Sequence, residues 1–494
     1  MDAFLAPEYQ PDATIRIVPY RIAGSARSGW LVSRAGHDHL RLGPGYERLQ
    51  VSHCGVCSTD LARQHLPFPL PQITGHEIVA VDDAGRPVVV EINASCRGRR
   101  LARQEWCVFC AASLDTHCRA RLVLGIHDLP GGFSPWILAP IDNVHAVPDG
   151  ISPATATLIE PFAAALQAVH ALDLADCARV AVLGSGRLGL LVVAALAATR
   201  ARSNGRYEIV AIARRASQQE LARALGADDT IDAADAATRH DLAEIVIEAT
   251  GHPRGLEAAI RLATREVHVK STTGQPTLGL THLTELVVDE MTLAPLETIT
   301  AGVPRLPSPP ATIAALLGDA IPAGVRRQLQ TRGLRTIRGS DAAEIADAIA
   351  ADPDITLGSA DLAVVTSLRD IDAAIRPRAG TDVGSGTRID EQVGNHNGLV
   401  RARGTIHVVD VGQPRAGVLA ALLDGGLRIS TSRCGDFRRA IEILGDPALD
   451  LGTALGERLI SHTRAAARLG DAFALAAQPE AIKVAVTHGD SLLR

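Results

Sequence analysis

The chain has 494 residues, a formal net charge of −6 and only 3% aromatic residues. No global basic field draws it to nucleic acid or a membrane surface, and so few rings argue against base-stacking platforms. Hydrophobic residues make up 47% and charged residues 21%, a globular composition with length for roughly two to four domains. The first residues lack a basic head followed by an apolar run, so no signal peptide is expected and the cytoplasm is the default location. The apolar run at 179–198 contains glycine and arginine and reads as a buried strand and helix, not a membrane span. Eight cysteines are too few for a disulfide framework, and their clustering points to metal.

Residues 12–150 carry short β-like runs at 14–18, 30–32, 78–81 and 86–92, separated by turn residues, which predicts a compact β-rich domain. Within it lies Cys54-Gly55-Val56-Cys57-Ser58-Thr59-Asp60, followed by Gly75-His76-Glu77. A thiolate, an imidazole and carboxylates are a donor set suited to zinc. A hydroxyl two residues after a cysteine, as at Thr59, can carry a proton away from a metal-bound oxygen. A second cluster comprises Cys96, Cys107, Cys110 and Cys118. Its Cys107-x2-Cys110 pair has a metal-type spacing, and four thiolates can close a structural zinc tetrahedron that pins a long loop.

Helical signals begin at Ser152-Pro153, an N-cap followed by proline at the first helical position, and the segment through His170 reads as one helix. The clearest local signal is RVAVLGSGRLGLL at 179–191, where an apolar strand meets Gly184-x-Gly186-x-x-Gly189 and then a helix. Gly184 permits the tight turn, Gly186 lets a pyrophosphate approach the backbone, and Gly189 lets helix and strand pack closely. Arg187 and Leu188 open the helix, whose unpaired N–H groups face the phosphates. Further strands at 208–213, 244–250 and 267–270 alternate with helices, as in a doubly wound parallel sheet.

Taken together, these segments resemble the zinc-dependent medium-chain dehydrogenase/reductase superfamily, in its alcohol, polyol and threonine dehydrogenase branches, over about 30–293 and 429–494. The resemblance implies an α/β protein: a β-rich GroES-like catalytic domain at 1–155, a Rossmann domain at 156–293, and a return to both at 429–494. It implies that Cys57, directly before x-Thr-Asp, is the zinc ligand and Cys54 a bystander, with His76 the second ligand. The third is a glutamate, either Glu77 or Glu160, with the other waiting beside it; Asp60 orients His76 or the surrounding loop. The four-cysteine lobe keeps the family's x2 and x7 gaps, but the first gap, filled by 97–106, is wider, so Cys96 departs from the pattern. A match to the family's helix end at 221–228 places Ala213 where an NAD site carries an acid. Arg214 and Arg215 follow, so NADP(H) is favoured over NAD(H).

The implied activity is hydride transfer between NADP(H) and an alcohol, polyol, aldehyde or ketone. Zinc acts as Lewis acid, Thr59 passes the proton on, and the substrate sits in the cleft between the domains. The implied protein is a homo-oligomer, dimer or tetramer, without nucleic-acid or membrane partners. Two other readings are a catalytically silent NADPH-binding redox sensor or scaffold, and a zinc-free reductase; the intact Cys57, Thr59 and His76 favour catalysis. The chain departs from the family at about 294–428, an inserted α/β lobe opening on a proline-rich linker at 301–310. Its 362–367 and 373–376 resemble 244–250 and 258–261, and 406–414 resembles 267–276, as in a partial Rossmann duplication without a second Gly-x-Gly-x-x-Gly. A polar, glycine-rich loop at 379–404 is placed to cover the site or meet a partner.

Overall fold

The computed structural model describes residues 2–66, 68–272, 274–296, 313–355, 357–376 and 398–489. The linker at 301–310 and most of the loop at 379–404 lie outside them. The chain divides into two compact units, Met1–Leu166 with Cys434–Arg494, and Gln167–Arg433.

The first unit is built on strands. Asp2–Tyr9, Ile15–Ser25, Gly29–Arg34 and His37–Leu42 form a four-stranded antiparallel sheet in sequence order. Its first strand escapes sequence reasoning because Pro7 interrupts it; the strand is an edge, where a missing N–H is tolerated. A seven-stranded sheet runs in the order Val144–Ala146, Pro87–Val90, Glu77–Val81, Tyr46–Gly55, Lys483–Thr487 and Ile460–Ala465, with Trp136–Pro140 also paired to Tyr46–Gly55. Gly55 is in register with Glu77 on one side and Ala485 on the other, so the end of one strand and the start of another meet there against a third. Val51, Ile78, Val486 and Phe133 form part of the core beneath. The single helix expected from 153 to 170 is two, Pro153–Ala156 and Ile159–His170. Pro161 has no N–H and fits only the first turn of a helix, so a new helix starts just before it.

In the second unit one eleven-stranded sheet dominates. Its order is Asp229–Asp232, Glu208–Ala213, Arg179–Leu183, Ala243–Glu248, Ala263–Val269, Arg428–Thr431, Thr292–Pro295, Val400–Val408, Ala360–Val365, Ile313–Leu317 and Arg335–Gly339. The inner strands Arg179–Leu183, Glu208–Ala213, Ile313–Leu317 and Ala360–Val365 are near-continuous buried apolar runs, as parallel strands buried on both faces require. All neighbours are parallel except the central pair, Arg428–Thr431 and Thr292–Pro295, which meet antiparallel at Leu293 and Ile429. Strands from the segment inserted at 294–428 thus extend the same sheet.

Polar groups interrupt that core. Arg401, fully buried, donates from Nε to Asp361 Oδ1 at 2.6 Å, and Asp361 Oδ2 accepts the Ile313 amide at 2.8 Å. His268 and His407 lie buried on strands at either side of the central antiparallel contact; the ring nitrogens of His268 meet Ser430 and Ser432 hydroxyls at 2.8 Å each. Burial holds the His268 imidazole down at about 3 and that of His407 at about 4.

Asp361→Asn leaves the Arg401 guanidinium buried without its counter-charge and should cost about 3 kcal/mol or more in urea unfolding. The histidines set a pH dependence. The unfolded chain takes up protons near pH 6.5 that the native form refuses, so their contribution is full above 6.5 and is lost as pH falls towards 4. The slope should approach about 1.4 kcal/mol per pH unit per histidine, and unfolding midpoints of His268→Gln and His407→Gln measured between pH 7.5 and 4.5 should show it reduced.

Candidate active site

One carboxylate joins the Cys57 and His76 segments of the first unit. Cys57 leaves the strand Tyr46–Gly55 and caps the short helix Ser58–Leu61, which carries Thr59, half-buried, and Asp60. Asp60 is fully buried. Its Oδ2 accepts the Cys57 amide at 2.9 Å and its Oδ1 accepts the Gly75 amide at 3.1 Å, drawing the two sequence segments together. His76 Nδ1 lies 3.6 Å from Asp60 Oδ1, an electrostatic contact longer than a hydrogen bond. Burial alone would lower the His76 pKa; the charges of Asp60 and Cys57 instead raise it well above the ordinary imidazole value. Gly75 has φ +95°, and a Cβ there would come within 2.9 Å of Cys54 Sγ and 3.0 Å of the Phe133 ring. Cys54 is fully buried, and burial pushes its thiol well up; it packs in the core while Cys57 remains partly open.

The two candidate glutamates differ in their surroundings. Glu77, 1% exposed, is ion-paired with Lys483, 4% exposed, at the start of the strand Lys483–Thr487. Glu160 sits in the first turn of Ile159–His170, half-buried. Lys483 was not singled out by sequence reasoning; the available signal was one lysine opening an otherwise apolar strand.

Among the described residues, the one group of three or more Cys, His, Asp or Glu with ligand atoms all within 4.8 Å of one another is Cys96, Cys107, Cys110 and Cys118. The set of Cys57, His76 and a glutamate does not reach that spacing. Cys118 Sγ lies 3.6 Å from Cys96 Sγ and 3.7 Å from Cys107 Sγ. A tetrahedron of sulfurs at zinc-bond length has edges of about 3.8 Å, so this cluster fits such an ion. Hydrogen bonds among the thiols, first from Cys110, hold Cys107 far below the ordinary thiol range, while the bond to Cys107 pushes Cys118 up to about 12. Despite the long gap, Cys96 joins the others: the Cys107 amide donates to its sulfur at 3.5 Å. The intervening loop is folded back by Trp106, whose Nε1 donates to Leu101 O at 3.0 Å and whose ring lies 4.5 Å beneath the Arg97 guanidinium.

In the second unit, Gly184 follows the strand Arg179–Leu183 with φ +98°, and a Cβ there would lie 2.9 Å from Thr250. Gly189 packs against the Gly184 carbonyl, whereas a Cβ on Gly186 would meet nothing within 4 Å. That opening lies at the start of the helix Arg187–Ser203, which also holds Leu188 and has no side-chain cap. The strand Glu208–Ala213 ends in buried Ala213; Arg214 follows, exposed, and Arg215 caps the helix Ala216–Ala224. Sequence reasoning passed over Glu248, a buried carboxylate that accepts the Thr250 amide at 2.8 Å and the Ser271 hydroxyl. It orders the strand ends beside Gly184.

Residues 43–149 match the alcohol dehydrogenase GroES-like domain. L-galactonate-5-dehydrogenase of Escherichia coli K12 is 29% identical over 234 residues, covering 43% of this chain and 64% of that protein. An L-threonine 3-dehydrogenase of Anaeromyxobacter sp. Fw109-5 is 27% identical over 227 residues, covering 44% of this chain and 62% of that protein. The chain thus spans just under two thirds of the length of these relatives. In fold it is similar to an alcohol dehydrogenase of E. coli CFT073 complexed with NADH, at 16% identity and a TM-score of 0.55, covering 99% of this chain and 100% of that one. It is likewise similar to a protein of Sinorhizobium meliloti 1021, described as a zinc-binding dehydrogenase and bound to NADP, at 18% identity and a TM-score of 0.52, covering 99% and 100%. Among the described residues, no helix is long and apolar enough to cross a membrane.

Lys483→Met would leave the Glu77 charge buried without its partner. A loss of about 3–5 kcal/mol in unfolding free energy is expected, and adding Glu77→Gln should recover most of it; a double-mutant cycle on denaturation midpoints checks both.

Proposed function

Because the chain belongs to the zinc-dependent medium-chain dehydrogenase/reductase superfamily, we propose that it transfers hydride between NADP(H) and an alcohol, polyol, aldehyde or ketone. The observation that carries this reading is the Asp60 carboxylate, which ties Cys57 to the segment bearing His76. A thiolate, an imidazole and a neighbouring glutamate suit a catalytic zinc with an open position. Cys57, His76 and Glu160 are the residues we assign to hold it, because Glu77 is engaged by Lys483. Zinc, when bound, supplies Lewis-acid polarisation of the substrate oxygen. Thr59 receives the substrate hydroxyl proton on its side-chain oxygen and passes it towards solvent. Cys96, Cys107, Cys110 and Cys118 hold a second, structural ion that pins their loop.

At the other site, the Gly184–Gly189 turn cradles the pyrophosphate, with the space above Gly186 supporting that role. The strand ends in Ala213 instead of an acid, so no carboxylate repels a 2′-phosphate, and Arg214 and Arg215 follow to pair with it. A second reading, NADPH binding without turnover, is favoured by the wider spacing of Cys57, His76 and the glutamates relative to the four-cysteine cluster. Assays across a panel of alcohols, polyols and carbonyls separate the two. Turnover supports the enzyme; bound zinc and NADPH with no turnover across the panel support the silent binder.

Cys57→Ser should abolish turnover and remove one metal equivalent while sparing the four-cysteine ion, as metal analysis of the purified protein will read. Unchanged turnover would sink the ligand assignment. Arg214→Ala with Arg215→Ala should weaken NADPH roughly tenfold or more and leave NADH nearly unaffected; equal losses in fluorescence titrations would refute the phosphate role.

A further inference from the structure

We propose that the described residues between 313 and 431 build a second, degenerate copy of the nucleotide-binding half-sheet, and that this copy takes up in cis the strand interface that a second chain could otherwise occupy. The ladder registers carry the inference. From the central Leu293–Ile429 contact, Ile429 pairs with Val267, Val267 with Val246, Val246 with Ala181, and Ala181 with Val210. On the other side Leu293 pairs with Ile406, Ile406 with Ala363, Ala363 with Ala315, and Ala315 with Ile337. Each step outward is parallel and the central one antiparallel. Two units related this way across one antiparallel contact have the geometry of an isologous, two-fold interface.

Positions named by this symmetry agree in detail. His268 follows Val267 and His407 follows Ile406, and both imidazoles are buried. Gly184 and Gly318 each follow the first strand of their half, with φ +98° and +101°. The halves also exchange their last strands. Thr292–Pro295, reached through the helix Leu283–Val288 of the first half, lies parallel to Val400–Val408 of the second. Arg428–Thr431, reached through the helix Val418–Leu423 of the second, lies parallel to Ala263–Val269 of the first. Neither half-sheet is complete without a strand carried by the other's segment.

The second copy serves as partner and not as a second nucleotide site. Its sheet ends at Arg335–Gly339, whereas the first half continues to Asp229–Asp232. After Gly318 comes Asp319, and the next helix starts only at Ala323. A Cβ on Gly318 would lie 3.8 Å from the Asp370 carboxylate, which repels a phosphate at that turn. One dinucleotide per chain follows from the cofactor reading of Gly184–Gly189.

The test uses the full chain with Leu293→Cys and Ile429→Cys, oxidised at low concentration and mapped by mass spectrometry. The expected product is a disulfide within one chain, running at single-chain mass; a covalent dimer through these two positions would overturn the proposal. Should the double variant fold poorly, the two single variants are mixed, refolded together and oxidised. No mixed disulfide is expected, and its formation would equally overturn the proposal. NADPH titration should saturate at one equivalent per chain, and two would refute the degenerate character of the second half. No binding at all would instead sink the cofactor reading of Gly184–Gly189, leaving the disulfide result to decide the interface.

Discussion

The candidate metal site depends on a single buried carboxylate. Asp60 accepts one backbone N–H from the Cys57 segment and one from the His76 segment, and its charge faces the His76 ring. A carboxylate removed from water is costly unless donors surround it. Here the donors belong to the two chain segments that must meet. The same interactions that satisfy Asp60 therefore fix the distance between a thiolate and an imidazole. Gly75 completes the arrangement, because its positive φ and missing side chain let the loop pass Cys54 and Phe133.

Around this point the electrostatics are paired with care. Glu77 would be a second buried negative charge next to His76, and Lys483, brought in by a strand from the far end of the chain, neutralises it. Burying such a pair contributes little net stability, but removing either partner is expensive. The pair thus constrains the site more than it stabilises the fold. The pair also engages Glu77, whereas Glu160 lies half-buried in the first turn of its helix.

The large sheet shows a different economy. Buried parallel strands need apolar residues on both faces, and the segment after 294 satisfies this with the same kind of runs as the strands before it. Polar exceptions in the sheet are locally matched, as Arg401 by Asp361 and His268 by two serines. The strand exchange at Leu293 and Ile429 ties the halves through backbone hydrogen bonding rather than through a surface patch. That arrangement makes the inserted segment part of the architecture of the unit.

Much of this was legible in the residues. The strand-turn-helix around Gly184, Gly186 and Gly189 follows from local rules, since the positive φ of Gly184 and the close approach of Gly189 to the Gly184 carbonyl require glycine. The order Cys57, Thr59, Asp60, then His76 and the x2 spacing of Cys107 and Cys110 likewise carry their chemistry over short spans. Broken helices and edge strands were harder, because Pro161 and Pro7 shift boundaries that periodicity alone does not reveal. Tertiary structure decided the rest: that Cys96 closes on Cys118 across its long gap, that Lys483 reaches Glu77, that Glu248 orders Thr250 and Ser271, and that Arg428–Thr431 meets Thr292–Pro295 antiparallel. Each of these is a pairing between distant segments, set by sheet register and burial, and register is a property of two strands together that neither encodes alone.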